Sequence, residues 1–154
     1  MPADPSILQN YSCFSDLTDD QREAVAQLAT AICFPRGYVL FEEGKPGDHL
    51  YLLVSGEAEV LYNISEEEST QVDLISGENV MGCSVLVSPF TYTATTRCLS
   101  EVEVLELDAV AFRKLMREDC SLGFAIQQYI LGILIDRIVG YRLERSGNRT
   151  KLMS

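Results

Sequence analysis

Between Glu43 and Tyr62 the chain alternates glycine turns with short apolar runs, and this punctuation limits its possible folds more than any other feature. Gly44 and Gly47 bracket a turn that leads into the run His49 to Val54. Ser55-Gly56 then has the form of a two-residue hairpin turn into Glu57 to Tyr62. The second run alternates, with Ala58, Val60 and Tyr62 on one side and Glu57, Glu59 and Leu61 on the other. Shorter runs flank this pair: Tyr38 to Phe41 after the turn Pro35-Arg36-Gly37, Val72 to Ile75 closed by Ser76-Gly77, Tyr92 to Cys98, and Glu101 to Leu107. Strands of about 5–7 residues separated by glycine turns predict an α+β protein, mainly β, built as a β-sandwich or jelly-roll β-barrel.

Three helices are expected around that barrel. Thr18-Asp19-Asp20-Gln21 is a capping-box pattern, with acids in the first turn where the helix dipole favours them. The helix it opens carries Ala24, Val25, Leu28, Ala29 and Ile32 on one face. Asp108 caps a second helix, Ala109 to Arg117, and Asp119 caps a third, from Cys120 to about Arg145. At ~1.5 Å per residue the third would run roughly 39 Å, longer than one small barrel covers. It is apolar nearly all round from Tyr129 to Ile135, so one buried face would not hide it. A two-fold dimer through this helix is therefore expected, with Ile126, Tyr129, Ile130, Ile133, Leu134 and Arg137 at the interface and Ile138 on the same face. The chain divides into an N-terminal extension (1–15), the barrel with its flanking helices (16–118), the long helix (119–145) and a polar basic tail (146–154).

Gly77 to Thr96 interrupts the strands with a different kind of segment. Gly82 to Leu86 follows a short apolar strand and opens a single helical turn, which Pro89 ends. Unpaired N–H groups at such a start, beside small side chains, suit an anion. A loop and one turn set into a β-structure has the form of a ligand cassette.

Charge and composition exclude several functions. The net charge is −11, and the segment from Arg142 alone is +3, leaving −14 for the rest. No basic stripe is available for nucleic acid, and the basic tail has no aromatic residue for stacking. The first ten residues have neither the basic start nor the apolar core of a signal peptide. The longest apolar run, Tyr129 to Ile135, falls well short of the roughly 20 residues of a membrane helix. A cytoplasmic protein without membrane contact is expected. Five dispersed cysteines without a CxxC pair are neither a disulfide framework nor a metal site. The lone histidine, His49, is expected to face solvent beside a turn, and no catalytic triad, Cys–His pair or carboxylate pair is visible. No metal, no catalytic residue and no enzymatic activity are expected.

The order of these parts resembles the cyclic nucleotide-binding domain, the fold of the catabolite activator protein and of the protein-kinase A regulatory subunit. The family pattern G-x-x-G-D-x-x-Y-x-(V/I/L)-x-x-G-x-(V/A)-x-V fits at Gly44, Gly47, Asp48, Tyr51, Leu53, Gly56, Ala58 and Val60. The resemblance spans about residues 10–145 and implies a double-stranded β-helix with a C-terminal dimerisation helix. It places the ligand at cassette positions Met81, Gly82, Cys83, Ser84, Leu86, Tyr92, Thr93 and Ala94. Gly82, Leu86, Ala94 and Thr95 keep the family's cassette residues. The glutamate that accepts from the ribose hydroxyl is here Cys83, and the arginine that neutralises the cyclic phosphate is here Tyr92.

Each lost charged hydrogen bond removes on the order of 1.5–3 kcal/mol, so losing two implies roughly 10²–10⁴ weaker binding. Arg97, five residues beyond Tyr92, falls on the opposite face of the strand and is a poor substitute. A cyclic nucleotide is possible but disfavoured, and the cofactor is unknown. The pocket is expected to be apolar and uncharged, suited to a neutral or aromatic small molecule. The expected function is a non-enzymatic sensor module with a retuned pocket. The alternative is a ligand-free module that engages a protein partner through its dimer and acidic surface. Thiol chemistry at Cys83, its pKa lowered by the helix start, is a further reading against the ordinary role of a small core residue. With no helix-turn-helix after the long helix, direct regulation of DNA is not expected.

Overall fold

A computed structural model of the chain describes residues 4–65 and 67–153, with side chains described through Gly140. Two four-stranded antiparallel sheets face each other. The eight strands are β1 (Ala29–Phe34), β2 (Val39–Phe41), β3 (His49–Ser55), β4 (Glu57–Asn63), β5 (Ser69–Ser76), β6 (Val80–Met81), β7 (Thr95–Cys98) and β8 (Val102–Asp108). One sheet runs β1-β8-β3-β6 and the other β2-β7-β4-β5, the jelly-roll arrangement that the strand-and-turn pattern implies. Consecutive strands β3 and β4 lie in different sheets, so the Ser55-Gly56 turn crosses between layers rather than closing a hairpin.

The β3 strand carries the core: Leu50, Tyr51, Leu52 and Leu53 are all buried, because one face meets the opposite sheet and the other is covered by helices. The short helix α1 (Asp19–Ala26) has the expected capping box, with Thr18 and Gln21 each satisfying the other's backbone N–H. It ends eight residues in, however, and the residues assigned to its far face become β1. Ala29 and Ile32 fit a helical spacing, but Ala29 to Phe34 gains six pairings along β8, from Leu107 to Val102. Long-range pairing overrides local period there.

Residues 1–15 were expected as an extension, and the described part is not one. Pro5–Asn10 is a 3-10 helix, and Leu8, Tyr11 and Phe14 are among the most completely buried side chains. The Tyr11 hydroxyl donates to the Leu53 carbonyl at 2.6 Å, and the Phe14 ring lies 6.3 Å from Phe112. Two C-terminal helices follow, α2 (Ala109–Glu118) and α3 (Cys120–Met153). Gln21 of α1 donates to the Asp119 carboxylate and to Ser121, tying the two helical ends together beside the barrel.

The 34 residues of α3 span roughly 51 Å at ~1.5 Å each, longer than expected. The helix continues through the segment assigned to a tail, whose basic side chains lie outside the described residues. Leu122, Ile126 and Ile130 are 0–3 % exposed against the barrel. Phe124, Leu131, Ile135, Ile138 and Val139 face outward and are about half exposed or more. Counting only the uninterrupted apolar run understated this helix. The 21 residues Cys120–Gly140 are long and apolar enough to cross a membrane by length and composition, though a helix with one face packed into a core passes the same test.

Candidate functional site

After β6 the backbone turns at Gly82 into a 3-10 turn, Cys83–Leu86, and then loops back to β7. Val85 and Leu86 anchor the turn in the core. The Ser84 hydroxyl donates to the Thr91 carbonyl at 2.9 Å, closing the loop on itself. From α2, the Arg113 guanidinium donates to the Val85 carbonyl at 2.7 Å and lies 4.2 Å above the Phe90 ring. The turn is four residues of 3-10 helix, so the anion-attracting dipole expected at its start is that of one turn only.

Beside this turn a cleft open to solvent at its mouth runs between the cassette and α3. Of the cassette positions assigned to a ligand, Met81, Gly82, Cys83, Ser84, Thr93 and Ala94 line it. Leu86 does not; it is buried in the core, where it lines a second, small cavity together with Phe112 and Ile126. The sequence did not single out Phe41, Val60, Ile75, Val80 and Thr96, which complete the barrel side. The inward half of the β4 alternation contained Val60, and that period-2 signal could have identified it.

Tyr92 is also absent from the lining. Its ring is 7 % exposed and stacks on Phe41 with centroids 4.2 Å apart and planes 12° apart. Its hydroxyl donates to the His49 carbonyl at 2.6 Å. Only glycine at position 47 leaves room for it, since a methyl there would overlap the ring. The backbone of the same residue pairs with the Gly44 turn, Tyr92 N–H to the Lys45 carbonyl and Gly44 N–H to the Tyr92 carbonyl. Tyr92 therefore locks the glycine turn to the cassette. Arg97 is turned to the outer face of the sheet, where it pairs with the buried carboxylate of Glu59, and Gln71 holds the other carboxylate oxygen at 2.8 Å.

The cleft is not uncharged. Ile130, Ile133, Leu134 and Arg137, all assigned to a dimer interface, form its α3 wall. The Arg137 guanidinium donates to the Thr93 hydroxyl at 3.2 Å. It is remote from Tyr92 in sequence, because the helix returns across the cassette 45 residues later. The interface assignment needs correcting: Ile126 and Ile130 are buried within this chain, while Tyr129, Ile133 and Leu134 are partly buried against the barrel or cleft.

Cys83 lines the cassette side of the same cleft. Burial pushes its thiol above the usual range, and the Arg137 charge pulls it only partly back. Its thiol is thus held protonated, against the lowering that a helix start would give. His49 begins β3 and is 41 % exposed, its Nε2 3.5 Å from Glu106. Among the described residues no three His, Cys, Asp or Glu side chains group as a metal site.

Comparison with known proteins agrees with this geometry. The sequence description of the Cyclic nucleotide-binding domain matches residues 31–119, more than half of the chain. The CRP-like cAMP-activated global transcriptional regulator of Mycobacterium tuberculosis is 23% identical over 142 residues, covering 92% of this chain and 59% of the regulator. The cAMP-dependent protein kinase regulatory subunit of Emericella nidulans is 32% identical over 111 residues, 72% of this chain and 26% of that one. The chain thus spans less than two thirds of either relative. A provisionally named cyclic nucleotide-binding protein of Geobacter metallireducens superposes with a TM-score of 0.77 at 26% identity, covering 88% of this chain and 98% of that one. By its jelly roll, its glycine-turn pattern and the matched span, the chain belongs to the cyclic nucleotide-binding domain family as a regulatory or sensor module.

Proposed function

We propose that this module is a non-enzymatic sensor whose cassette has been retuned away from cyclic nucleotides. One observation carries the proposal. The residue standing where the family's phosphate-binding arginine falls, Tyr92, is committed to the fold through its stack on Phe41 and its bond to His49. Cys83, at the glutamate position, offers no carboxylate to a ribose hydroxyl, and burial keeps it neutral. The named relatives act through cyclic AMP. This chain has their frame without those two contacts.

Two copies work together in this proposal, pairing along α3. Phe124, Gln128, Leu131, Ile135 and Ile138 recur at spacings of four, three, four and three, the seam of a two-stranded coiled coil. Four of the five are large exposed apolar side chains. In sedimentation, Ile135→Asp should give folded monomers, whereas Ile130→Asp should unfold the barrel instead; a dimer that survives Ile135→Asp rules out this seam.

Thermal denaturation tests the retuned pocket. A ligand at 100 times its Kd adds about 2.7 kcal/mol, which raises the midpoint by roughly 5–11 °C for a chain of this size. Cyclic AMP and cyclic GMP at micromolar concentrations should leave the midpoint unmoved. A shift of that size with either one refutes the proposal.

A further inference from the structure

We infer that the cleft takes a small aliphatic monocarboxylate, its acid head held by Arg137 at the mouth and its chain lying between the cassette and α3. This rests on the proposal that the cassette does not serve a cyclic nucleotide. Two polar groups meet in the exposed part of the cleft wall. Arg137 and the Thr93 hydroxyl stand together there, 3.2 Å apart. The Ser84 hydroxyl already donates a hydrogen bond to the Thr91 carbonyl, and Thr96 is 2 % exposed on the sheet. The remaining walls are Val60, Ile75, Val80 and Met81 from the barrel and Ile130, Ile133 and Leu134 from α3.

Among the described residues no carboxylate lines the cleft and Arg137 has no ion pair. In a chain of net charge −11, a guanidinium that pairs with no acid among the described residues, at the end of an apolar cleft, points to an anion that arrives from outside. A planar guanidinium binds a carboxylate through two parallel N–H donors, and its charge makes those bonds stronger than neutral ones. The body of the ligand follows from the walls. Phe41 is the sole aromatic ring among the described lining residues, and one of its faces is already covered by Tyr92. That leaves little platform for a planar base, and no acceptor at Cys83 for a sugar hydroxyl. An unbranched hydrocarbon chain fits aliphatic walls without leaving any polar group unpaired.

The test is calorimetric titration of octanoate, hexanoate, octanamide and cyclic AMP into the full chain and into Arg137→Met and Arg137→Lys. Arg137 is exposed at the mouth, so both variants should keep the parental circular dichroism and melting midpoint. At pH 7.5 both acids are ionised. Octanoate should bind at least tenfold tighter than octanamide, and hexanoate several-fold more weakly than octanoate. Arg137→Met should abolish the preference for acid over amide while leaving octanamide unchanged, and Arg137→Lys should retain part of it. Equal binding of octanoate and octanamide, or an unchanged preference in Arg137→Met, overturns the carboxylate site and leaves the retuned cassette standing. Absence of octanoate binding at millimolar concentration also overturns the site. If cyclic AMP binds at micromolar concentration in that same series, the retuned cassette falls with it.

Discussion

Tyr92→Phe removes a single hydroxyl, and the structure says what that hydroxyl does. It donates to the His49 carbonyl at 2.6 Å from a ring 7 % exposed, so the variant loses one partly buried hydrogen bond and leaves a carbonyl without that donor. A neutral bond of this kind contributes about 0.5–1.5 kcal/mol, and an unsatisfied buried partner costs about 1–3 kcal/mol. The net loss should be about 1–2 kcal/mol. Tyr92→Ala removes the ring as well, together with its stack on Phe41, and opens a hole beside Gly47 and Gly82. Large aromatic-to-alanine changes in a core cost about 3–5 kcal/mol. Urea unfolding followed by tyrosine fluorescence and circular dichroism separates the two. With a slope of about 2 kcal/mol per molar, Tyr92→Phe should lower the midpoint by about 0.5–1 M. Tyr92→Ala should lower it by more than 1.5 M or leave the chain unfolded. A pair of variants both within about 0.5 kcal/mol of the parent would mean that Tyr92 is not a strut, and a side chain free to swing into the cleft would then have to be considered part of the binding surface.

Two other perturbations follow from the same coordinates. Gly56 has φ +95°, and a methyl there would overlap the Glu101 carbonyl and press on Val102. Gly56→Ala should therefore cost about 2–5 kcal/mol from backbone strain and overpacking combined, read as a fall in the urea midpoint, and a loss below 1 kcal/mol would contradict that turn geometry. Burial holds the Tyr11 hydroxyl up at about 12 against its usual 10, and Tyr92 is raised for the same reason. A group whose pKa is higher in the folded chain stabilises fully below its unfolded value and loses that contribution as pH climbs towards the folded one. Stability should thus decline from about pH 10 towards 12. Tyr11→Phe, which gives up its bond to Leu53, should start lower at pH 8 but fall less steeply; equal slopes would show that Tyr11 ionises freely in the fold.

Much of the barrel was legible because glycine turns and period-2 runs are local signals. The segment from Gly44 to Val60 carries both, and its strands lie where the pattern puts them. The β1 strand was not legible, since Ala29 and Ile32 satisfy a helical spacing equally well and only the β8 pairing decides between them. Leu8, Tyr11 and Phe14 escaped notice because they recur every three residues inside a polar stretch, a 3-10 spacing that resembles neither an α-helix nor a strand. The cassette positions could be read from the resemblance, and six of the eight line the cleft. The orientation of Tyr92 could not be read, because it depends on the space that Gly47 leaves some 45 residues earlier. Arg137 was hidden for a similar reason. Its place on α3 was visible, but which face of an almost wholly apolar helix meets the barrel depends on packing that the period alone does not reveal. Glu59 is similar on the other sheet: alternation put it on the face opposite Ala58, Val60 and Tyr62, and only its pairing with Arg97 and Gln71 accounts for a buried carboxylate there.

The most direct measurement is calorimetric titration of cyclic AMP into the unaltered chain. A micromolar site weakened 10²–10⁴-fold by the loss of both charged contacts binds at roughly 0.1–10 mM. The expected result is therefore no saturable heat at micromolar nucleotide. A saturating isotherm with a Kd of about 10 μM or below would contradict the conclusion that Cys83 and Tyr92 have taken the cassette out of nucleotide binding.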